Sequence, residues 1–168
     1  MKNKGFTMIE LLISLGISSI VIGLIFSFFT VNYKSYKSIR NDSELQFQAQ
    51  YILNYMADKI INSSSVSLIR GEAAIYSMTL VRNAETEYPV NKISFKFGNN
   101  SDENYVFHIV NSNIRYTVGE KDIKPTAELG NFVDSMYVSL LKDDSFQHTN
   151  AVIIKIIMNR DGQMYEAF

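Results

Sequence analysis

The chain contains no cysteine and no tryptophan, and only two prolines among its 168 residues. The absence of cysteine excludes a disulfide framework and any thiolate metal site. Positive and negative side chains nearly balance, with 16 Lys and Arg against 17 Asp and Glu. Without a basic surplus we expect no direct binding of nucleic acid, and without an acidic surplus we expect no disordered acidic tail.

Residue patterns that carry known chemistry are also missing. The two histidines, His108 and His148, lie on different segments without a Cys or His at ligand spacing, so we expect both in the sheet or in loops. The oxygen-rich loop 99–104 offers ligands for Ca²⁺ but lacks the spacing and the glycine of an EF-hand, so we favour a solvated loop over an ion site. No P-loop, nucleophile elbow or dinucleotide fingerprint occurs. The sequence therefore predicts a protein that is not an enzyme and has no metal or cofactor.

A long uncharged run lies near the N-terminus. No charged residue occurs between Leu11 and Val31, and roughly 20 apolar residues are enough to cross a bilayer. A secretory signal peptide would have a shorter apolar core and a small-x-small cleavage site. A plain signal anchor would explain the length of the run but not Glu10, because a carboxylate at this depth is costly. An uncharged run of this length disfavours a buried helix of a soluble protein, so the sequence predicts one membrane span.

The segment before and into this run carries a specific motif. Residues 4–13 read Lys-Gly-Phe-Thr-Met-Ile-Glu-Leu-Leu-Ile, which resembles the cleavage and methylation motif of type IV pilins and type II secretion pseudopilins. The resemblance implies that a prepilin peptidase cuts between Gly5 and Phe6 and that Phe6 is then N-methylated. Glu10 then occupies the fifth mature position, where the family has its glutamate.

The residue types suit that chemistry. Gly5 has no side chain, so the backbone can enter a tight protease cleft. Cleavage creates a cationic amine at Phe6, and one helical turn separates it from the carboxylate of Glu10. Because an unpaired carboxylate is penalised in a low dielectric, we hypothesise that Glu10 neutralises the Phe6 amine of an adjacent subunit.

The resemblance also implies an organisation and an orientation. We expect a leader over residues 1–5, a transmembrane helix over 6–31, an amphipathic continuation over 32–62 and a β-rich globular head over 63–168. The peptidase of this family acts at the cytoplasmic face of the bacterial cytoplasmic membrane, which places the head outside. Because lysines lie on both sides of the span, the positive-inside rule alone does not decide its orientation.

Four small residues recur along one face of the span: Gly16, Ser19, Gly23 and Ser27. Small residues let membrane helices approach closely, so this face is either a helix-packing surface or an instance of the ordinary tolerance of Gly and Ser in membrane helices. Ser27 lies where major pilins often have a proline, which this span lacks.

The second half of the predicted helix is amphipathic. Its apolar face consists of Leu45, Ala49, Ile52, Met56 and Ile60, a spacing typical of one helix face. Phe47 falls away from this face, among glutamines. We interpret Phe47 either as an ordinary exposed aromatic or as a residue that contacts a neighbouring subunit.

After residue 65 the pattern changes to short β-rich runs, which predicts an antiparallel sheet. The predicted strands are 66–69, 74–81, 92–97, 105–110, 114–118, 132–141, 152–159 and 163–168. Asp161-Gly162 is a hairpin signal between the last two. The predicted fold class is therefore α+β, with a long N-terminal helix, half transmembrane and half amphipathic, packed on an antiparallel β-sheet head.

Layout and size most resemble a minor pilin of the J or W type, and Glu10 argues against the outermost tip position. This implies other pilin subunits, the prepilin peptidase and an inner-membrane assembly platform as partners, and a filament at the cell surface. A type II secretion or competence pseudopilin is the close alternative. An uncleaved single-pass binding protein or adhesin is the alternative from another class.

Overall fold

The computed structural model describes residues 6–84, 86–98 and 103–168. The predicted leader, residues 1–5, lies outside the described residues. So does most of the loop 99–104, which the sequence predicts to be solvated. Within the described ranges one helix precedes nine β-strands, and the chain divides into two compact units, the first ending at Arg40 and the second running from Asn41 to Phe168.

The helix α1 (Met8–Ile61) contains the whole uncharged run from Leu11 to Val31. It is long and apolar enough to cross a membrane by length and composition, and it is the one helix of this kind among the described residues. It ends at Ile61, one residue before the predicted end at 62, and Ser63 already belongs to the first strand. In the first unit its apolar side chains are exposed, as a membrane-embedded surface requires.

In the second unit the amphipathic part of α1 covers the core. Leu45, Ala49 and Ile52 are fully buried and Met56 nearly so, which confirms the predicted apolar face. Ile60, at the end of this face, is partly buried against the same core. The burial explains why a helix with several glutamines and polar residues is stable here, since packing of one apolar face stabilises helices more than propensity does.

The strands form two antiparallel sheets. In the first sheet the neighbours are ordered β1-β3-β4-β5-β6 and in the second β2-β7-β8-β9. Their bounds are β1 Ser63–Arg70, β2 Tyr88–Val90, β3 Lys92–Phe97, β4 Asn104–Val110, β5 Asn113–Gly119, β6 Ala127–Gly130, β7 Val133–Leu140, β8 Val152–Arg160 and β9 Gln163–Ala167. The predicted α+β class with an antiparallel head is confirmed, and the head consists of two sheets where the sequence predicts one.

A single core joins the helix and both sheets. Phe95 and Phe107 of the first sheet meet edge to face with ring centroids 6.4 Å apart, and they belong to the same buried cluster as Val138 and Ile156 of the second sheet. Along β8, alternate side chains face this core, as expected for strands with one buried face. The Asp161-Gly162 pair forms the predicted hairpin, with φ of 52° and 83°, which the mirror-image turn requires.

One predicted strand is wrong, and two observed strands were not predicted. The predicted strand 74–81 is wrong, because the chain turns at Gly71, whose N–H donates to the carbonyl of Ala74 at 2.9 Å. Residues 74–81 then form no ladder and leave Leu80 and Val81 exposed. The sequence reasoning missed β2 and β6. Both are edge strands of three or four residues, too short to show a two-residue alternation.

Side chains, rather than a ladder, hold the connection between β1 and β2. The guanidinium of Arg82 lies over the rings of Tyr88, Phe146 and Tyr76 at 4.6, 5.2 and 5.4 Å. The Arg82 backbone also exchanges two hydrogen bonds with Asp144, at 2.8 and 3.2 Å. A cation over several aromatic faces is a favourable arrangement. These contacts therefore hold the connection in place without a β-ladder.

A buried lysine fastens the loop that follows β5. Lys92 is only 2% exposed, and its Nζ donates to the Asp122 carbonyl at 2.7 Å and to the Asp122 carboxylate at 2.8 Å. Arg70 donates to the other carboxylate oxygen at 2.9 Å, and Ser94 donates to the carbonyl of Lys121 at 2.7 Å. The Lys92 hydrogen bond, with help from Arg70, lowers the pKa of Asp122 below its ordinary value.

We expect acidification to lower the free energy of unfolding in two stages. Burial, and then the nearby charge of Lys92, lowers the pKa of His108, so its contribution is complete above the unfolded value of about 6.5 and is lost as the pH falls through the folded pKa. Asp122 contributes in the same direction, from an unfolded value of about 3.9 downwards. Urea unfolding of the full chain in detergent micelles, followed by tyrosine circular dichroism over a pH series, measures both stages.

Two matched variants assign the stages. His108→Gln should remove the upper stage and leave the lower one, while Asp122→Asn should do the reverse. A free energy of unfolding that stays constant through both windows would contradict the assignment.

Candidate functional site

The candidate site lies at the start of α1. Phe6 is 76% exposed and directly precedes Thr7, after which the helix begins at Met8. The first helical hydrogen bond runs from the Leu11 N–H to the Thr7 carbonyl at 3.2 Å. Thr7 is therefore the N-cap residue, and Glu10 lies in the first turn.

Thr7 and Glu10 form a reciprocal capping box. The Thr7 backbone N–H and the Thr7 hydroxyl both donate to Oε2 of Glu10, at 2.9 and 2.7 Å. In return, the Glu10 N–H donates to the Thr7 hydroxyl oxygen at 3.4 Å. This pairing satisfies N–H groups that a helix start otherwise leaves without a partner. The carboxylate also lies at the positive end of the helix dipole.

The carboxylate retains acceptor capacity. Both donors from Thr7 converge on Oε2, and among the described residues nothing donates to Oε1 of Glu10. A carboxylate has about four lone-pair sites, so the cap leaves room for a further donor. Chemically, the arrangement can accept a cationic amine without giving up the hydrogen bonds from Thr7.

Sequence reasoning missed the capping role of Thr7. The signal was present, since Thr followed by Glu three residues later, before an apolar run, is the usual signature of a capping box. Glu10 was predicted for assembly only, whereas the structure shows that it also stabilises the beginning of its own helix.

The small residues of the span lie where the sequence places them, on exposed turns of α1. A methyl group added at Gly16 or Gly23 would meet nothing within 4 Å. The Ser19 hydroxyl donates to the carbonyls of Leu15 and Gly16 at 3.0 and 2.8 Å, so this polar group is satisfied inside its own helix. The helix-packing role of Gly16, Ser19, Gly23 and Ser27 stays a prediction.

The predicted cleavage point is only partly within the described residues, because Gly5 lies outside them and Phe6 inside. No group of three or more His, Cys, Asp or Glu side chains that could hold a metal ion occurs in the described part of the chain. The two histidines lie in the sheet and in a loop, as predicted. His108 is in β4, and His148 is in a loop with its Nδ1 3.0 Å from the Ser145 hydroxyl.

Comparison with known families identifies the N-terminal segment. Residues 1–26 match the model of the prokaryotic N-terminal methylation motif. This match supports the resemblance of the N-terminal segment to type IV pilins and pseudopilins, a family of structural subunits. Together with the apolar helix, it fits a membrane-anchored protein. No curated protein and no solved structure matches the chain with significant similarity.

Loss of the Thr7 hydroxyl should loosen the first turn of α1. We expect Thr7→Val to destabilise this turn by about 1 kcal/mol, the usual worth of an N-cap side chain. Faster hydrogen exchange of the backbone amides in the first turn, measured on the full chain in detergent micelles, reports the loss. Thr7→Ser keeps the hydroxyl and is the matched control, and equal exchange in Thr7→Val and Thr7→Ser would disprove the capping role.

Proposed function

We propose that the chain is a minor type IV pilin, most like the J or W type. The prepilin peptidase cuts it between Gly5 and Phe6, and Phe6 is then N-methylated. The subunit stays in the bacterial cytoplasmic membrane with its head outside, until the inner-membrane assembly platform adds it to other pilin subunits. One observation carries this proposal. The methylation motif matched by residues 1–26 overlaps the start of a helix that is long and apolar enough to span a membrane.

The contrast between the two units supports a subunit that assembles. The exposed apolar surface of the first unit extends along the whole run from Leu11 to Val31. Such a surface must be covered either by lipid or by other helices. A filament core made of these helices provides the second environment, and the small residues at Gly16 and Gly23 favour close approach there.

Glu10 is proposed to guide the entry of the subunit. Its Oε1 has no donor from the described residues, while Oε2 is held by Thr7. The methylated amine of Phe6 on an adjacent subunit is a cation of suitable charge and size. Pairing these two groups neutralises both in a medium where unpaired charges are penalised, so a subunit in correct register is favoured over one displaced along the helix.

The head supports a minor rather than a major subunit. It contains nine strands in two sheets within the described residues, which is a strand-rich head for a chain of 168 residues. Such heads are typical of the J and W types.

Two substitutions separate the capping role of Glu10 from its charge. We expect Glu10→Gln to retain the capping box, since Gln also serves at this position, but to lose the ion pair. Glu10→Ala loses both. If charge pairing drives assembly, both variants insert into the membrane and both are depleted from sheared surface material to a similar extent. The measurement is the ratio of sheared to membrane-bound protein.

Two results would contradict these proposals. If Glu10→Gln assembles like the wild type while Glu10→Ala is defective, the effect comes from the helix cap. The proposed ion pair of Glu10 would then be refuted. Wild-type chain that never enters the sheared fraction would refute the filament proposal itself.

A further inference from the structure

A notch lies in the head where the chain crosses from the second sheet to the first, at Asn91. We call it the acidic notch. It is lined by the end of β2, the end of β4 with its following turn, the start of β7 and the connection after β1. Its volume is about 610 Å³, which lies within the usual range for ligand pockets.

The notch coincides with a gap beside β7. The neighbouring strand β2 ends at Val90, which is opposite Met136. Three residues before Met136, the Val133 N–H donates to the carbonyl of Ser112 at 2.9 Å. Residues 134–135, between these two points, have no strand beside them on that edge. The gap continues the line of β2, so it can receive a further extended segment.

A β-bulge places a carboxylate at this gap. In the register with β8, Val133 and Ser135 are opposite two consecutive residues, which leaves Asp134 as the extra residue. Bulges re-aim a side chain and are common next to functional sites. The Asp134 side chain is exposed, and within the described part of the chain its carboxylate accepts one long hydrogen bond, from the Ser135 hydroxyl at 3.5 Å. The carboxylate is therefore accessible to a cation from outside.

A second carboxylate of the notch lies on the connection after β1. Glu72 is exposed and makes no ion pair among the described residues. The described lining residues include no lysine or arginine. Lys155 approaches one wall, with its Nζ 6.0 Å from the centre of the Tyr137 ring. That lysine is already paired with Glu87 and Glu166, both at 3.3 Å, so it leaves the charge of the notch available.

Contacts within the head hold the walls of the notch in place. The Tyr76 hydroxyl donates to the Pro89 carbonyl at 3.0 Å, and the Tyr76 ring meets the Tyr88 ring edge to face at 5.7 Å. A methyl group at Gly71 would lie 3.0 Å from the same Pro89 oxygen, so glycine permits this close packing. A site that is already formed loses less conformational entropy when it binds a partner.

We propose that the acidic notch binds an extended, basic segment of another protein. One lysine or arginine of the segment pairs with Asp134 at the gap, and a second pairs with Glu72. The aliphatic stems of these side chains pack on the walls while the charged groups reach the carboxylates. Two carboxylates on different elements match cations spaced along a chain better than a single amine. This site belongs to the head and does not depend on the proposed filament function.

Peptide binding to the full chain in neutral detergent micelles tests the proposal. The probe is a rhodamine-labelled peptide of alternating lysine and alanine, followed by fluorescence anisotropy. Glu72→Gln and Asp134→Asn should each weaken its binding roughly fivefold, which corresponds to about 1 kcal/mol at 1.4 kcal/mol per factor of ten. Asp42→Asn, the matched control, removes an exposed charge of α1 outside the notch and should leave the affinity unchanged. A peptide with norleucine in place of lysine should not bind.

Zero-length cross-linking locates the bound peptide. A carbodiimide joins a lysine amine to a carboxylate that it contacts directly, and peptide mapping by mass spectrometry identifies the acid. We expect the lysine peptide to be attached mainly to Glu72 and Asp134, and Asp42 to remain unmodified.

Four results would overturn the proposal. The first three are equal affinity of the wild type and both notch variants, equal binding of the norleucine peptide, and cross-links only at acids outside the notch. The fourth is free lysine amide that displaces the peptide at an equal concentration, which would assign the notch to small amines. None of these results bears on the filament function, which is tested by the processing and shearing of the wild-type chain.

Discussion

A carboxylate at the beginning of an apolar helix needs hydrogen-bond donors, and the organisation of this chain depends on how Glu10 obtains them. Thr7 provides two donors to one oxygen, which caps the helix and leaves the other oxygen available. The first turn is thereby stable in a separate subunit, and the remaining acceptor can receive a cation from a neighbour. One side chain thus serves both the helix of its own subunit and, in our proposal, the joining of two subunits.

The helix changes its environment along its length, and the sequence changes with it. Before Arg40 the apolar side chains are exposed all round, while from Leu45 onwards a single apolar face is buried against two sheets. The head is then fastened by interactions that involve few residues, among them the buried Lys92 beneath its loop and Arg82 among three aromatic rings. The exposed apolar surface and the buried core are therefore in different parts of the chain.

Much of the fold could be predicted from the sequence, because the strongest sequence signals are periodic and local. The helix face through Leu45 and the hairpin at Asp161-Gly162 were predicted correctly for that reason. The segment 74–81 was mistaken for a strand because its apolar composition is β-like, while Arg82 and a turn decide its course. The hydrogen bond from the Asn131 N–H to Gln48 of α1 could not be predicted, since these residues meet only through the tertiary fold. The capping role of Thr7 was predictable from local spacing and was missed.

The mass of the N-terminal peptide of the native protein tests the central claim most directly. The peptide would be measured from membranes and from sheared surface material of cells with an active prepilin peptidase. Our account predicts a chain that begins at N-methylated Phe6 in both fractions, and an unprocessed chain in a Gly5→Val variant. A wild-type chain that still begins at Met1 in such cells would contradict the account and make this protein a plain membrane anchor.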